Sequence, residues 1–209
     1  WRETVIWVGL IGILITSILA ITTFDLKRVL AYSTVSQLGY MFVAIGSGSV
    51  LAGQFHHLSH AIFKALLFLA AGAIIHACGT RDMRQMGGFY KKSPFVSTAF
   101  LVGALALTGI PILNGFWSKE LILESVHIES SLLVLVLMLI SVGLTAIYTL
   151  RCFKMVFLGK NDHAHLHPSP AAMKIVLGIL AMGALVSWTV IHWFSSSREH
   201  TLPFHSIET

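Results

Sequence analysis

The chain has 209 residues, 56% of them hydrophobic and only 11% charged, with a formal net charge of +5. Its mean hydropathy is +0.81 and its pI about 9.4. A soluble domain carries about 25% charged residues, so this balance excludes a water-soluble fold, and the basic residues do not gather on a face that would hold nucleic acid.

Six apolar stretches are long enough to cross about 30 Å of hydrocarbon at 1.5 Å per residue. Each is predicted to be a helix, because an isolated span must satisfy its own backbone hydrogen bonds. A β-barrel would need alternating segments of about ten residues, and none appear. The first stretch is Thr4 to Thr23 and the second is Val29 to Val50. Ser33, Ser36, Gln37 and Tyr40 share roughly a 100° arc of the second.

The third stretch, Phe55 to Ala77, carries His56, His57, His60 and Lys64. A charge near the bilayer centre costs roughly 2.5–3.5 kcal/mol on insertion scales, so such residues are functional suspects. At about 100° per residue, His56, His60, Lys64 and His57 fall at roughly 0°, 40°, 80° and 100°. A line of groups that bind and release protons inside a membrane reads as a proton path. The alternative is a polar wedge that only joins helices, for which lysine is a costly choice.

The fourth region, Phe95 to His127, is too long for one straight helix, which would reach about 50 Å. Its middle reads Thr108-Gly109-Ile110-Pro111-Ile112-Leu113-Asn114-Gly115. Proline removes a backbone donor and clashes with the preceding turn. A helix, an irregular break and a second short helix bearing Lys119, Glu120 and Glu124 are therefore expected. Broken helices at membrane depth mark ion sites in transporters. The alternative is that the chain leaves the membrane after Leu113 and Lys119 is solvated.

The fifth stretch is Ser131 to Thr149, continuing as helix to Phe157, with Ser141, Thr145, Tyr148 and Cys152 on one stripe. Its hydroxyls can hold water between ionisable groups or simply join helices. The sixth is Ala171 to Phe194, followed by a polar tail at 195–209. The expected fold is all-α: one transmembrane domain over 1–209, about six spans, with one helix broken around Pro111 to Gly115.

Lys27, Arg28, Arg81, Arg84, Lys91, Lys92, Arg151, Lys154, Lys160 and Lys174 fall on one side of this topology, and Arg2 and Arg198 on the other. By the positive-inside rule the first set faces the cytoplasm, or the matrix in an organelle. The plasma membrane of a bacterium or archaeon is the expected location. The chain opens on Trp1 without a signal-peptide pattern, so a piece of a longer protein is expected.

Cys78 and Cys152 lie near expected helix ends without a CxxC spacing and read as small apolar residues. The alternating His163, His165 and His167 lack cysteine or carboxylate partners, so a loop is expected there and no metal site. No GxGxxG, P-loop, HExxH or GxSxG motif occurs, and no cofactor is expected in this chain.

Several runs, taken together, resemble a known family. They are Phe24-Asp25-Leu26-Lys27-Arg28-Val29-Leu30-Ala31-Tyr32-Ser33-Thr34 with Ser36-Gln37-Leu38-Gly39-Tyr40-Met41, and His56-His57-Leu58-Ser59-His60-Ala61-Ile62-Phe63-Lys64-Ala65-Leu66. Arg81-Asp82-Met83-Arg84-Gln85-Met86-Gly87-Gly88 and Gly115-Phe116-Trp117-Ser118-Lys119-Glu120 complete the set. From about Thr22 to Gly159 the chain is similar to the antiporter-like membrane subunits of respiratory complex I, in the branch of subunit L and mitochondrial subunit 5.

The resemblance implies that Lys64 is a central proton-carrying lysine, connected through His60 and His56, and that Lys119 is a terminal one, with Glu120 beside it. His57, Gln37, Tyr40, Ser33 and Tyr148 are secondary path candidates. Asp25 and Lys27 fall in a motif at a helix start, where a capping role is expected. The resemblance also implies a translocase working with other membrane and peripheral subunits, the flavin and iron–sulfur clusters lying in those partners. A multisubunit Na⁺/H⁺ antiporter, or the related subunit of a membrane-bound hydrogenase, shares these motifs. The family's subunits have roughly twice as many spans, in two inverted repeats, and the upstream repeat is absent here.

Overall fold

The computed structural model describes residues 1–159 and 171–189. Lys160, the His163 to His167 run, the expected last turn of the sixth span and the 195–209 tail lie outside the described residues.

Helix α1 is Arg2–Thr22, α2 Leu26–Gly46, α3 Val50–Cys78, α4 Phe89–Lys92, α5 Pro94–Thr108, α6 Asn114–Glu129, α7 Leu132–Phe153 and α8 Ala171–Val186. A 3-10 turn occupies Met83–Gln85, and a π-helical turn, Lys154–Leu158, carries α7 onward. Among the described residues the only extended pairing is an isolated bridge between Asp25 and Asp82. Four helices, α1, α2, α3 and α7 with its π turn, are long and apolar enough to cross a membrane. The fourth expected span is the broken pair α5 and α6.

Local chemistry sets the ends. Asp25 caps α2 by accepting from the Arg28 backbone N–H at 2.9 Å, as the expected role of that motif requires. Ser49 caps α3 and Ser131 caps α7. Gly79, in the left-handed region at φ 66°, closes α3, and Pro94 stands at the first turn of α5, where its missing N–H costs nothing.

The two ends of the bundle are tied differently. At the basic end, Leu26 N–H donates to the Arg81 carbonyl at 3.0 Å and Met83 N–H to the Phe24 carbonyl at 2.8 Å. The Arg84 and Arg151 guanidiniums each lie over the Phe24 ring, 4.6 and 4.5 Å from its centroid, and Arg151 donates to the Thr23 carbonyl at 2.8 Å. Arg84 also grips Asp82 at 2.7 Å and holds that carboxyl below its ordinary range. At the opposite end, Arg2 donates to the Gly46 carbonyl at 3.0 Å, and Ser47 pairs with Ser130 at 3.0 Å.

Two apolar cores fill the bundle. One, towards the basic end, includes Leu26, Leu30, Phe63, Leu67, Phe100 and Phe157. The other includes Ile6, Leu10, Val43, Ile122, Val126 and Met138. Along α2 the residues between the cores are Ser33, Ser36 and Gln37. Along α3 they are His56, Ser59 and His60, and along α7 Ser141 and Thr145. All of these are buried. The bundle is therefore layered, apolar, polar, apolar, with the polar layer near mid-depth.

Helices α1 and α2 approach most closely at glycines. A Cβ on Gly9 would fall 2.7 Å from the Gly39 carbonyl oxygen, and one on Gly39 would fall 2.6 Å from that of Gly9. Small residues let membrane helices meet backbone to backbone. Gly39→Val is expected to destabilise the bundle by about 1–3 kcal/mol, read as a lower Tm in detergent. An unchanged Tm would mean that the two helices separate without cost.

Candidate functional site

The third helix supplies the axis of the polar layer. His56, His60 and Lys64 follow at intervals of four, so they stack on one face, and they are 0, 8 and 5% exposed. Lys64 Nζ donates to the Leu30 carbonyl at 3.0 Å and makes a short contact with Ser33 Oγ. One turn on, the His60 ring meets Phe63 edge-on at 5.4 Å and lies 6.4 Å from His56. His60 Nε2 is buried without a partner among the described residues.

His56 is held on both sides, with Nδ1 2.9 Å from Ser118 Oγ and Nε2 3.2 Å from Gln37 Oε1. A neutral ring that donates from Nε2 to Gln37 accepts at Nδ1 from the Ser118 hydroxyl. A doubly protonated ring donates from both nitrogens to the same two oxygens. Both charge states therefore keep their partners.

The break between α5 and α6 builds the second lysine site. Ile110 N–H donates to the Leu105 carbonyl at 3.1 Å and Gly109 N–H to that of Ala106 at 3.2 Å, the paired pattern that ends a helix on a left-handed glycine. Gly109 has φ 83°. The Leu107 carbonyl is left over, and Pro111 brings no N–H to it. Lys119 Nζ fills this vacancy at 2.6 Å and lies 5.2 Å from the Tyr40 ring centroid. Lys119 is 3% exposed, so the solvated alternative for this lysine does not hold. A Cβ on Gly115 would overlap the Ala106 carbonyl oxygen, which explains glycine at the start of α6. Ile112, between the half-helices, has φ 85°, a strained value for a β-branched residue.

Other groups close the layer. Tyr40 Oη and Ser141 Oγ are 2.6 Å apart. Asn114 Nδ2 donates to Ser187 Oγ at 2.9 Å and to the Ser59 carbonyl at 3.4 Å, tying α6 to the turn that follows α8 and to α3. Ser17 and Ser36, at 3.3 Å, join α1 to α2 away from the lysines.

The structure brings Lys64, His60, His56, Lys119, Gln37, Tyr40, Ser33 and Tyr148 into this buried layer. It does not bring in two of the expected residues. His57 stands roughly 100° around α3 from His56, enough to carry it onto the exposed face, and Glu120 points outward from α6. Ser118 and Ser59 carry no sequence signal of their own as site residues, although Ser118 adjoins Lys119, and Asn114 reads from sequence only as a flank of the break. The carbonyls of Leu30 and Leu107 carry no side-chain signal, but a Gly-Ile-Pro break announces that some carbonyl will lack a partner. Among the described residues no three His, Cys, Asp or Glu gather as a metal site.

These features define a polytopic α-helical membrane protein with ionisable groups isolated in its interior. Residues 1–145 match the family described as NADH:quinone oxidoreductase/Mrp antiporter, TM, and the chain belongs to it. It is 38% identical over 212 residues to NADH-quinone oxidoreductase subunit L of Rhodobacter capsulatus, covering 93% of this chain and 30% of that one. It is 41% identical over 199 residues to F(420)H(2) dehydrogenase subunit L of Methanosarcina mazei, covering 87% of this chain and 28% of that one. Its fold matches a chain of respiratory complex I from Thermus thermophilus with TM-score 0.79 and 25% identity, over 92% of this chain and 44% of that one. The chain thus spans about a third of the length of these curated relatives.

Stability measurements separate a structural lysine from a functional one. Replacing a buried charge by an apolar side chain of similar shape is often neutral or stabilising, so Lys64→Met is expected to leave the Tm in detergent unchanged or raised. Ser118→Ala strands His56 Nδ1 and is expected to cost about 1–3 kcal/mol. A fall for Lys64→Met as large as that for Ser118→Ala would make the ammonium a structural joint.

Proposed function

We propose that the chain is a proton-translocating, antiporter-like membrane component of a redox-driven, complex I-type quinone oxidoreductase. Lys64 and Lys119 load and release the protons, and His60 and His56 relay them. One observation carries this reading: two lysine amines are buried in the middle of a membrane bundle with only neutral partners. Among the described residues, neither is paired with a carboxylate.

The chemistry follows from those partners. A carbonyl or hydroxyl oxygen accepts from an ammonium and equally from a neutral amine. Each lysine can therefore change charge without losing its position. Two protonated lysines in a low-dielectric interior repel one another, so loading one favours release from the other. Histidine suits the step between them, since its unperturbed pKa is about 6.5. Glu120 would take part only where another segment or subunit covers its exposed face.

In this reading the chain binds no redox group. Partner subunits carry flavin and iron–sulfur clusters and reduce quinone, and the basic end of the bundle faces the cytoplasm of a bacterium or archaeon. The family description supports a second reading, the large subunit of a multisubunit Na⁺/H⁺ antiporter, with the related subunit of a membrane-bound hydrogenase closer to the first. Isolation of the native complex in mild detergent distinguishes them. Flavin and iron–sulfur subunits among the co-purified proteins support the redox reading, and small hydrophobic subunits alone support the antiporter. In the assembled complex, Lys64→Ala is expected to abolish proton uptake into vesicles while the complex still assembles. Uptake at the wild-type rate would sink the mechanism.

A further inference from the structure

At the basic end of the bundle, five cationic side chains meet at one corner. Two backbone hydrogen bonds, from Leu26 N–H to the Arg81 carbonyl and from Met83 N–H to the Phe24 carbonyl, bind the α1–α2 turn to the segment after α3. They bring Arg81 and Arg84 to Lys27 and Arg28, which open α2. Arg151, near the end of α7, joins them by donating to the Thr23 carbonyl. Among the described residues two carboxylates stand at this corner. Asp25 is engaged by the Arg28 backbone N–H and Asp82 by the Arg84 side chain. The corner therefore keeps an excess of positive charge.

Depth decides which anion suits it. Helix α1 has 21 residues, about 31 Å at 1.5 Å per residue, which is the thickness of the hydrocarbon layer. Thr23 and Phe24 therefore stand at the edge of that layer, level with lipid headgroups. Helices α1 and α7 pack together. They run parallel, since Thr23 meets Arg151 at one end and Arg2 meets Glu129, just ahead of α7, at the other. Below the cations their outward faces are apolar and exposed, with Ile15 and Ile18 on α1 and Ile147 and Leu150 on α7. One turn further down α7, a Cβ on Gly143 would meet nothing within 4 Å, so the face is recessed there.

We propose that this corner binds an anionic phospholipid, with its phosphate held by Arg81, Arg84 and Arg151 and its acyl chains laid along the outward faces of α1 and α7. The Arg84 and Arg151 guanidiniums both lie within 4.6 Å of one ring centroid, close enough for a single phosphate group to reach both. A guanidinium carries five N–H donors, and Arg151 spends one of them on Thr23. Arginine forks pair with phosphate through two parallel hydrogen bonds, and basic pockets between membrane helices on the cytoplasmic side hold anionic headgroups. A free phosphate ion would use the cations and leave the isoleucines beneath them unmatched. An acidic soluble segment would have to lie against side chains at hydrocarbon depth. A phospholipid matches both halves of the corner. Once bound, it joins the α1–α2 turn, the segment after α3 and the end of α7 through one headgroup. The proposal does not depend on the reading of Lys64 and Lys119 as proton carriers.

The test uses the native complex in mild detergent, supplied with limiting phosphatidylglycerol or phosphatidylcholine whose acyl chains carry a photoactivatable diazirine. Labelled peptides are then mapped by mass spectrometry. Phosphatidylglycerol is expected to label the Ile15 to Thr22 and Ile147 to Leu150 stretches about 30-fold more than phosphatidylcholine, the scale of two basic residues at a membrane surface. Arg151→Gln, whose amide keeps a donor for the Thr23 carbonyl, and Arg81→Gln are each expected to lower that labelling about fivefold. Together they should bring it to the phosphatidylcholine level. Arg81→Gln, at an exposed position, decides alone if Arg151→Gln does not assemble. Lys91→Gln with Lys174→Gln removes the same charge from the same end of the bundle and should leave labelling unchanged. Equal labelling by the two lipids, or an equal loss in the lysine variant, would reduce the corner to ordinary boundary lipid and overturn the site. Competition by inorganic phosphate as strong as by unlabelled phosphatidylglycerol would make it a free-anion site. Labelling absent from both stretches would mean that another subunit covers the corner. Either result also overturns the proposal.

Discussion

The structure depends on one unfinished helix. Where α5 stops, its last carbonyls would face the middle of a membrane, and an unsatisfied backbone group there costs several kcal/mol. The glycine-terminated turn satisfies two of them, and Lys119 reaches back from α6 to satisfy Leu107. A cation at the C-terminal end of a helix is also favoured by the helix dipole. This single contact fixes how α6 leaves the break and therefore where Ser118 falls. Ser118 in turn sets the His56 ring, and Asn114 at the head of α6 secures the turn that follows α8 and α3.

Magnitudes argue that the lysines are not retained for stability. A charge at mid-membrane costs roughly 2.5–3.5 kcal/mol on insertion scales, and an interhelical hydrogen bond in a membrane returns about 0.6 kcal/mol on average. Each lysine also makes a cation–π contact, Lys64 with Phe68 and Lys119 with Tyr40, worth about 2 kcal/mol when desolvated. These contacts bring each lysine to about the cost and not clearly ahead of it. The two apolar cores carry the fold. Because they sit above and below the polar layer, charge can change in the layer while the packing that holds the helices remains in place.

Much of this layout was legible in the sequence. Apolar length gave the spans, the Gly-Ile-Pro-Ile-Leu-Asn-Gly run gave the break, and fourfold spacing gave the column of His56, His60 and Lys64. The misses have physical reasons. The buried face of α3 reaches round to Lys64 and ends there, so His57, about 20° further on, shares the wedge and still points out. Glu120 follows Lys119 in the chain, and neighbours in sequence lie on different faces of a helix. The acceptors that seat the lysines are backbone carbonyls of Leu30 and Leu107, which no side-chain pattern can announce. Tyr40 and Tyr148 could be placed on polar stripes, but their register across two antiparallel helices is a tertiary fact.

The outward groups and the inward ones divide along the same line. Lys64 and Lys119 find their hydrogen-bond partners on α2 and α5, and the buried histidines and hydroxyls around them come from α2, α3, α6 and α7. Gln54 and His57 on α3, and Glu120 and Glu124 on α6, are exposed at positions where lipid would be a poor neighbour for a polar or charged side chain. The curated relatives bring about three times the length of this chain. In the proposed reading, the atoms whose positions matter for proton transfer are set by the bundle itself. The surfaces that need covering are those where further helices have reason to pack, and there position matters less than the exclusion of hydrocarbon from a carboxylate.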